Sequence, residues 1–476
     1  MQYLLISLLL SFGFAVNFSE DISPIVYQNC TTCHRSGEIA SFLPLTNFSE
    51  VYNNRNWIAY AIAGDDSRHG NPIMPPWPPD NTYSALIGER SLSEVEIHTI
   101  LDWVDEGAPQ GNPNLEFPMP DFPEGSAIGE PDVVLSLEEP YFIEGNNQDD
   151  YRCFIIETNF SEDKDIAAIE IYPGNRVAVH HAILVATPAG SADALDELDS
   201  GPGYECFGGF GTPNISDILG GYAPGMIVSP FPSGLAQNIP ANSDLIIQLH
   251  YAPLNTDEID QTTVNIFFRD EPVERYVQEE IMYPWQLVFP PNELTTISES
   301  WNISNDISLI QFFPHSHMLG KSWEIYAETP DNSIIPIIRI NEWDFDWQSF
   351  YSPEYMLHIP SGSTITANCV YDNTSDNPNN PNDPPEWVFF GEGTNDEMFF
   401  VPYRYVNYQV GDEYIYLGTE ESLTGDVNGD GDLNVLDVVS LVGFILNGEF
   451  DSSADVNEDG LINVLDVVSL VNIILS

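Results

Sequence analysis

Between residues 130 and 415 the chain is dense in Val, Ile, Tyr, Phe and Thr, and Pro, Gly, Asn or Asp cut it every 8–12 residues. Short half-buried strands separated by tight turns can close only as antiparallel sheets. About 290 residues of this kind exceed one hydrophobic core, so two packed sandwiches are predicted, with a boundary near residue 275. The expected architecture is multidomain and mainly β: two antiparallel β-sandwich (jelly-roll) domains at 130–274 and 275–415, flanked by different material on each side.

Residues 18–115 read as helical. They close with SLSEVEIHTILDWVDEGAP, where Ser91 or Ser93 can cap a helix whose apolar residues recur at helical spacing. A Pro-rich stretch at 116–129 then serves as a linker. The first fifteen residues, MQYLLISLLLSFGFA, are a short apolar run ending in small residues. That pattern predicts a secretory signal cleaved near Ala15, although it lacks a Lys or Arg at its start. The expected location is therefore exported: periplasmic, cell-surface or extracellular, with no membrane span in the mature chain. The 12 Lys and Arg against 74 Asp and Glu give a formal charge of −62, which excludes a nucleic-acid backbone or an anionic membrane as a main partner.

Two metal-type motifs stand out in the flanking regions. The first is CTTCH, Cys30 to His34, the attachment pattern for one covalent c-type haem. Cys30 and Cys33 would take the vinyl groups and His34 one axial position. Met74, in HGNPIMPPWPPD, is the expected second axial ligand, with His69 the alternative. In its order of CxxCH, Met-Pro-Pro loop and closing helix, 18–115 resembles a class I cytochrome c. The second is a repeat at 422–476. Asp426, Asn428, Asp430, Asp432, Asn434 and Asp437, then Asp455, Asn457, Asp459, Asn463 and Asp466, fall at the alternating oxygen-donor positions of a calcium loop. Gly431 and Gly460 stand where each loop must turn, and an apolar VLDVVSLV helix follows each copy. The pair resembles a type I dockerin, which implies two calcium ions and a cohesin-like protein partner.

Five further histidines lie in strand-like surroundings: His180 and His181 in VAVHHAILVA, His250 in LIIQLHYAP, and His315 and His317 in QFFPHSHMLGKSW. Adjacent strand residues face opposite ways, so the HH pair demands a bulge or twist if both imidazoles are to reach one ion through different ring nitrogens. His315 and His317, at i and i+2, share a strand face. Imidazole-rich sites suit copper, zinc, iron or nickel.

HHAILV, QLHYA, HSHMLGK and GEGTNDEM occur in the order and rough spacing of the copper type II, ascorbate-dependent monooxygenases, and residues 130–415 resemble that family. The resemblance implies two β-sandwiches holding one copper each across a solvent-filled cleft. His180, His181 and His250 would bind the electron-storing copper. His315, His317 and Met398 would bind the catalytic one, where O2 and a small organic substrate react. It also implies a Cys153–Cys206 disulfide. The family partner of Cys369 is replaced by Phe399, leaving that thiol unpaired, either buried, which is favoured, or exposed to copper chemistry. Phe313, Phe400 and Pro402 stand where the peptide-cleaving member uses Arg, Asn and Tyr. A glycine-extended peptide is therefore disfavoured and an apolar or aromatic substrate favoured. The expected activity is C–H hydroxylation, with electrons supplied through the fused haem or an external donor. The alternative is a haem- and copper-binding electron carrier without hydroxylase activity. His69, His98 and His358 are given no catalytic role.

Overall fold

The computed structural model describes residues 16–63, 74–120, 122, 125–206, 209–226, 228–418, 425, 427, 433–447, 454, 456–457 and 462–475. The expected signal sequence and His69 lie outside them, as do Asp426, Asn428, Asp430, Asp432, Asp455 and Asp459. Two compact units separate at residue 417. Among the described residues no helix is long and apolar enough to cross a membrane.

The first unit is mainly β, with a small helical region at its N-terminal end. Helices Ser23–Asn29, Phe48–Ile62 and Glu94–Asp105 bury Phe18, Ile22, Val26, Val51, Ile100 and Trp103 in a common core. Ser93, not Ser91, caps the last helix. Its hydroxyl accepts from the Glu96 N–H, and the Glu96 carboxylate accepts from the Ser93 N–H. The Pro-rich stretch is not a free tether at its start. Phe117 N–H donates to Ser23 Oγ (2.9 Å), the Tyr27 hydroxyl donates to Glu116, and Phe117 and Met119 pack on the helical core.

Two five-stranded sheets face each other in the first sandwich. One runs, in spatial order, Val133–Ser136, Thr263–Phe268, Lys164–Tyr172, Leu235–Ile239 and Arg275–Tyr276. The other runs Tyr204–Glu205, Asp150–Glu157, Ser243–Tyr251, Val179–Pro188 and Gly220–Tyr222. Ile166, Ile169 and Val264 from one meet Phe154, Leu184, Ile247 and Leu249 from the other. The Cys153–Cys206 disulfide ties strand Asp150–Glu157 to the residue that follows its edge neighbour, Tyr204–Glu205. Arg275 and Tyr276 still pair, in parallel, with Leu235 and Ala236, and the chain joins the second sandwich only at Gln278.

The second sandwich packs Gln278–Met282, Val401–Asn407, Ile307–Phe312 and Leu357–Ile359 against Glu293–Asn302, Thr364–Asn373, Gly320–Glu328 and Ile334–Ile340. Its core includes Phe312, Trp323, Ile338, Ile365 and Tyr403. Cys369 is a buried free thiol, and Phe399 packs its ring against Trp323 at 4.8 Å. The stretch between Met74 and the closing helix lies along this sandwich. Asp80 N–H donates to the Arg339 carbonyl (2.8 Å), Ser84 Oγ to Ile337 (2.8 Å) and Ile87 N–H to Ser352 (3.0 Å).

The second unit carries helices Val435–Asn447 and Val464–Leu475. Val427, Leu441, Ala454, Val456 and Leu470 form its core. The two repeats build the same device. Asp437 accepts from Val427 N–H and Asn434 N–H, and Asp466 accepts from Asn457 N–H and Asn463 N–H. Both carboxylates are buried at the loop–helix junction, where an anion also meets the positive end of a helix.

Candidate metal centre

Strand Val179–Pro188 runs antiparallel to Ser243–Tyr251, with His181 directly opposite His250. The register shifts between Val179 and His181, so His180 is the extra residue of a bulge and swings toward the side its neighbour faces. His180 Nδ1 lies 3.2 Å from His181 Nδ1, and His250 Nδ1 lies 3.3 Å from His181 Nδ1. The three rings thus present the same nitrogen, not different ones. Two donors about 2.0 Å from one ion at a tetrahedral angle stand about 3.3 Å apart, so the trio has the spacing of a metal site. Burial, then the neighbouring imidazoles, pushes His180 down to about 3 and His181 well below its ordinary value. Both are therefore neutral at pH 7, the form that binds a metal. His250 Nε2 is held 2.7 Å from Asp149 Oδ1, and Tyr151 stacks on its ring at 4.2 Å. A carboxylate on the far ring nitrogen turns the near one toward an ion.

The second set forms differently from the expected strand face. Strand Ile307–Phe312 ends before the motif, because Pro314 has no N–H for the ladder. His315 makes an isolated bridge to Phe400, with N···O distances of 3.0 and 3.1 Å, and His317 lies in the loop that follows. The rings still meet, with centroids 5.0 Å apart. His315 Nδ1 pairs with Gln348 Oε1 and His317 Nδ1 with the Asp396 carbonyl (3.1 Å), which leaves Nε2 of each as the ligand atom. Burial lowers His315 to about 4 and His317 well below its ordinary value. Met398 lines the same cavity, while the adjacent Phe399 points into the core. The buried Glu397 carboxyl accepts from the N–H groups of His317, Leu319 and Met398, so one side chain fixes the backbone of two candidate ligands. Burial drives its pKa up to about 8 against the pull of those donors.

Both sets border one cavity of about 730 Å3. Its apolar wall includes Tyr283, Trp285, Phe313, Phe350, Phe390 and Phe400, and its ionisable side chains, apart from the histidines and tyrosines, are acids: Asp217, Glu279, Asp346 and Glu392. Asp149, Gln348, Phe345 and Glu397 are residues in contact with the candidate ligands that motif reading missed. Glu397 alone carried a signal, as an acid beside the expected methionine ligand.

At the other candidate site, Cys30, Cys33 and His34 share one turn after helix Ser23–Asn29, with His34 N–H bonded to the Cys30 carbonyl (2.9 Å). His34 Nδ1 lies 2.9 Å from the Leu43 carbonyl, which leaves Nε2 for an axial ligand. Burial keeps both thiols protonated, Cys30 at about 12. Met74 donates its N–H to Ala61 at the end of helix Phe48–Ile62. Three of the chain's few cations, Arg35, Arg90 and Arg176, lie beside Cys33. Arg176 also grips both oxygens of Glu38 at 2.9 Å, joining the CTTCH segment to the residues that lead into His180.

Fold and site together define a two-sandwich β protein with imidazole clusters in the wall of one cavity. Residues 273–413 match the family described as copper type II ascorbate-dependent monooxygenase, C-terminal domain. Residues 424–475 match the dockerin type I domain. By these matches the second sandwich is similar to the C-terminal domain of copper-dependent monooxygenases, and the C-terminal repeat is similar to a dockerin, a match that implies calcium. Neither match reaches the CTTCH segment. No curated protein matches the chain. Among solved structures, the infectious bursal disease virus VP2 subviral particle is 8% identical over 61% of this chain and 74% of that one, at a TM-score of 0.17. A turret protein of Sulfolobus turreted icosahedral virus is 10% identical over 58% and 99%, at 0.14. Likenesses this slight carry no argument.

Proposed function

We propose that the chain is an exported copper monooxygenase that hydroxylates a C–H bond of an apolar, non-anionic organic substrate. The observation that carries this reading is the meeting of two differently built donor sets, His180/His181/His250 and His315/His317/Met398, on one cavity. Bound coppers would supply one-electron storage at the first set and O2 chemistry at the second. Overall, one oxygen atom enters the C–H bond and the other leaves as water, consuming two electrons and two protons.

The residues of the chain do the rest. Gln348 and the Asp396 carbonyl orient the second pair of imidazoles, and Glu397 holds the backbone of His317 and Met398. Tyr283, Trp285, Phe390 and Phe400 form an aromatic wall in the cavity that Met398 also lines, and this wall would desolvate an apolar substrate. The cavity's acids disfavour a carboxylate substrate.

The haem reading belongs to the same proposal. The CTTCH turn fits a covalent haem, since it offers two thiols, a free His34 Nε2 and nearby arginines for the haem carboxylates. The Glu38–Arg176 pair would seat it beside the first histidine set as an internal electron donor. The calcium module would dock a cohesin-like protein.

The test is substrate-dependent O2 consumption with the isotope of 18O2 traced into product, using apolar substrates and their carboxylate analogues. Label in product from the copper-loaded chain, lost in His315→Ala, supports the reading. Two bound coppers with no substrate-coupled O2 use would instead mark an electron carrier. For the haem, a flash injecting less than one electron per haem should give fast haem reoxidation in wild type and not in His250→Ala. Equal persistence of the reduced haem in both would sink the internal-donor idea.

A further inference from the structure

Phe345 stands between the two histidine sets. Its ring stacks on His180 at 5.2 Å and 23°, and meets His317 edge-on at 5.7 Å and 79°. It belongs to the second sandwich, on the segment after strand Ile334–Ile340, yet it touches an imidazole of the first. That segment is tied down at several points. Trp343 Nε1 donates to the His317 carbonyl (3.2 Å), Gln348 Nε2 donates to the Phe345 carbonyl (2.7 Å), and Gln348 Oε1 meets His315. The residues that orient the second set therefore also place the ring.

A second contact crosses in the opposite sense. Asp149 Oδ1, in the first sandwich, takes His250 Nε2 at 2.7 Å and the Thr394 hydroxyl at 3.0 Å. The Tyr151 hydroxyl donates to the Glu392 carbonyl at 3.1 Å. Thr394 and Glu392 lie on the loop that offers its Asp396 carbonyl to His317 and ends at Met398. Each histidine set is thus touched by a segment that orients the other.

We propose that Phe345 and the Thr394–Asp149 hydrogen bond form a clasp that fixes the separation of the two histidine sets and keeps part of the gap between them dry. The family resemblance implies an open, solvent-filled cleft, and here an aromatic ring occupies part of it. The proposal rests on the copper reading above. Phe345 and Thr394 are positioning residues that touch no reacting atom. An aromatic ring packed on both imidazoles resists sliding of the two sandwiches past each other, because its contacts are lost with small displacements.

The full-length chain would be loaded with two Cu(II) ions, and their dipolar coupling measured by pulsed electron paramagnetic resonance. Wild type should give one narrow separation. Phe345→Ala and Thr394→Val should each broaden it or shift it to longer values, and the double variant most of all. Phe345→Tyr should restore the narrow value, while Phe345→Leu, which keeps apolar bulk without the ring, should not. Copper content near two per chain in each variant would show that the sites remain formed. An unchanged, narrow separation in Phe345→Leu, Phe345→Ala and Thr394→Val, with two coppers bound, would overturn the clasp and leave the copper reading intact. A wild type that holds fewer than two coppers at these six residues would overturn both.

Discussion

Single side chains set the chemistry of the cavity, through which nitrogen faces it and which groups hold the other. Gln348 makes its contact with His315 Nδ1, not with Nε2, the candidate ligand atom. Gln348→Leu should weaken copper binding at the second set by about 10–100-fold, the usual cost of losing an outer partner of a ligand histidine. Copper titration with separate spectra for the two sets would read this, and an unchanged second-set affinity would refute it. The buried imidazoles also make the metal-free protein acid-sensitive. His180 at about 3 and His315 at about 4 lie below the unfolded value of 6.5, so between these limits the unfolded chain takes up protons that the folded one refuses. Stability is then complete above pH 6.5 and falls as the pH drops toward 4. Denaturant unfolding of the apo-protein at pH 7 and pH 4.5 should show the loss, and His315→Gln should reduce it. At this scale the sequence was most legible: the histidines and Met398 could be picked out as candidates. Asp149 and Gln348 could not, because they lie far in the chain from the rings they hold.

At the scale of elements, the bulge in strand Val179–Pro188 resolves the paired histidines. An extra residue in one strand breaks the two-residue alternation, and two neighbours can then reach one point. The same reasoning explains why His315 and His317 do not need a strand. Pro314 ends pairing, and the loop is held by Glu397. The helical region depends on its caps. Ser93→Ala removes the reciprocal bonds with Glu96 and should cost about 1 kcal/mol, read as a lower denaturant midpoint. The Cys153–Cys206 bridge spans 53 residues of chain. The Cys153→Ser/Cys206→Ser double variant should lose about 3–4 kcal/mol in the first sandwich, measured in apo-protein so that metal binding does not mask it. A loss below about 1 kcal/mol would mean that sheet packing alone constrains the segment.

For the whole molecule, division at residue 417 predicts two separable stabilities. The dockerin-like unit has a small core, Leu441 and Leu470 being its fully buried leucines among the described residues, so on the proposed calcium reading bound ions would contribute much of its folding energy. Chelating calcium should lower its unfolding temperature and leave the copper affinity of the larger unit unchanged. Calorimetry with and without chelator would separate the two transitions, and a joint shift would show that the units are coupled.

By itself the sequence determined local chemistry: strand-forming composition, the cysteine and histidine motifs, the repeated calcium-loop spacing, and the cap at Ser93. Those properties depend on residues a few positions apart, where chain connectivity fixes the geometry. Tertiary structure alone decided that five of the six donors, from three segments, border one cavity with His250 packed behind His181, that Phe345 enters the gap between the two sets, and that Thr394 reaches Asp149 across 245 positions. Such contacts arise when two sheets bury their apolar faces against each other. The burial is non-directional, so pairings between distant segments follow from how whole surfaces fit and leave no local mark in the chain.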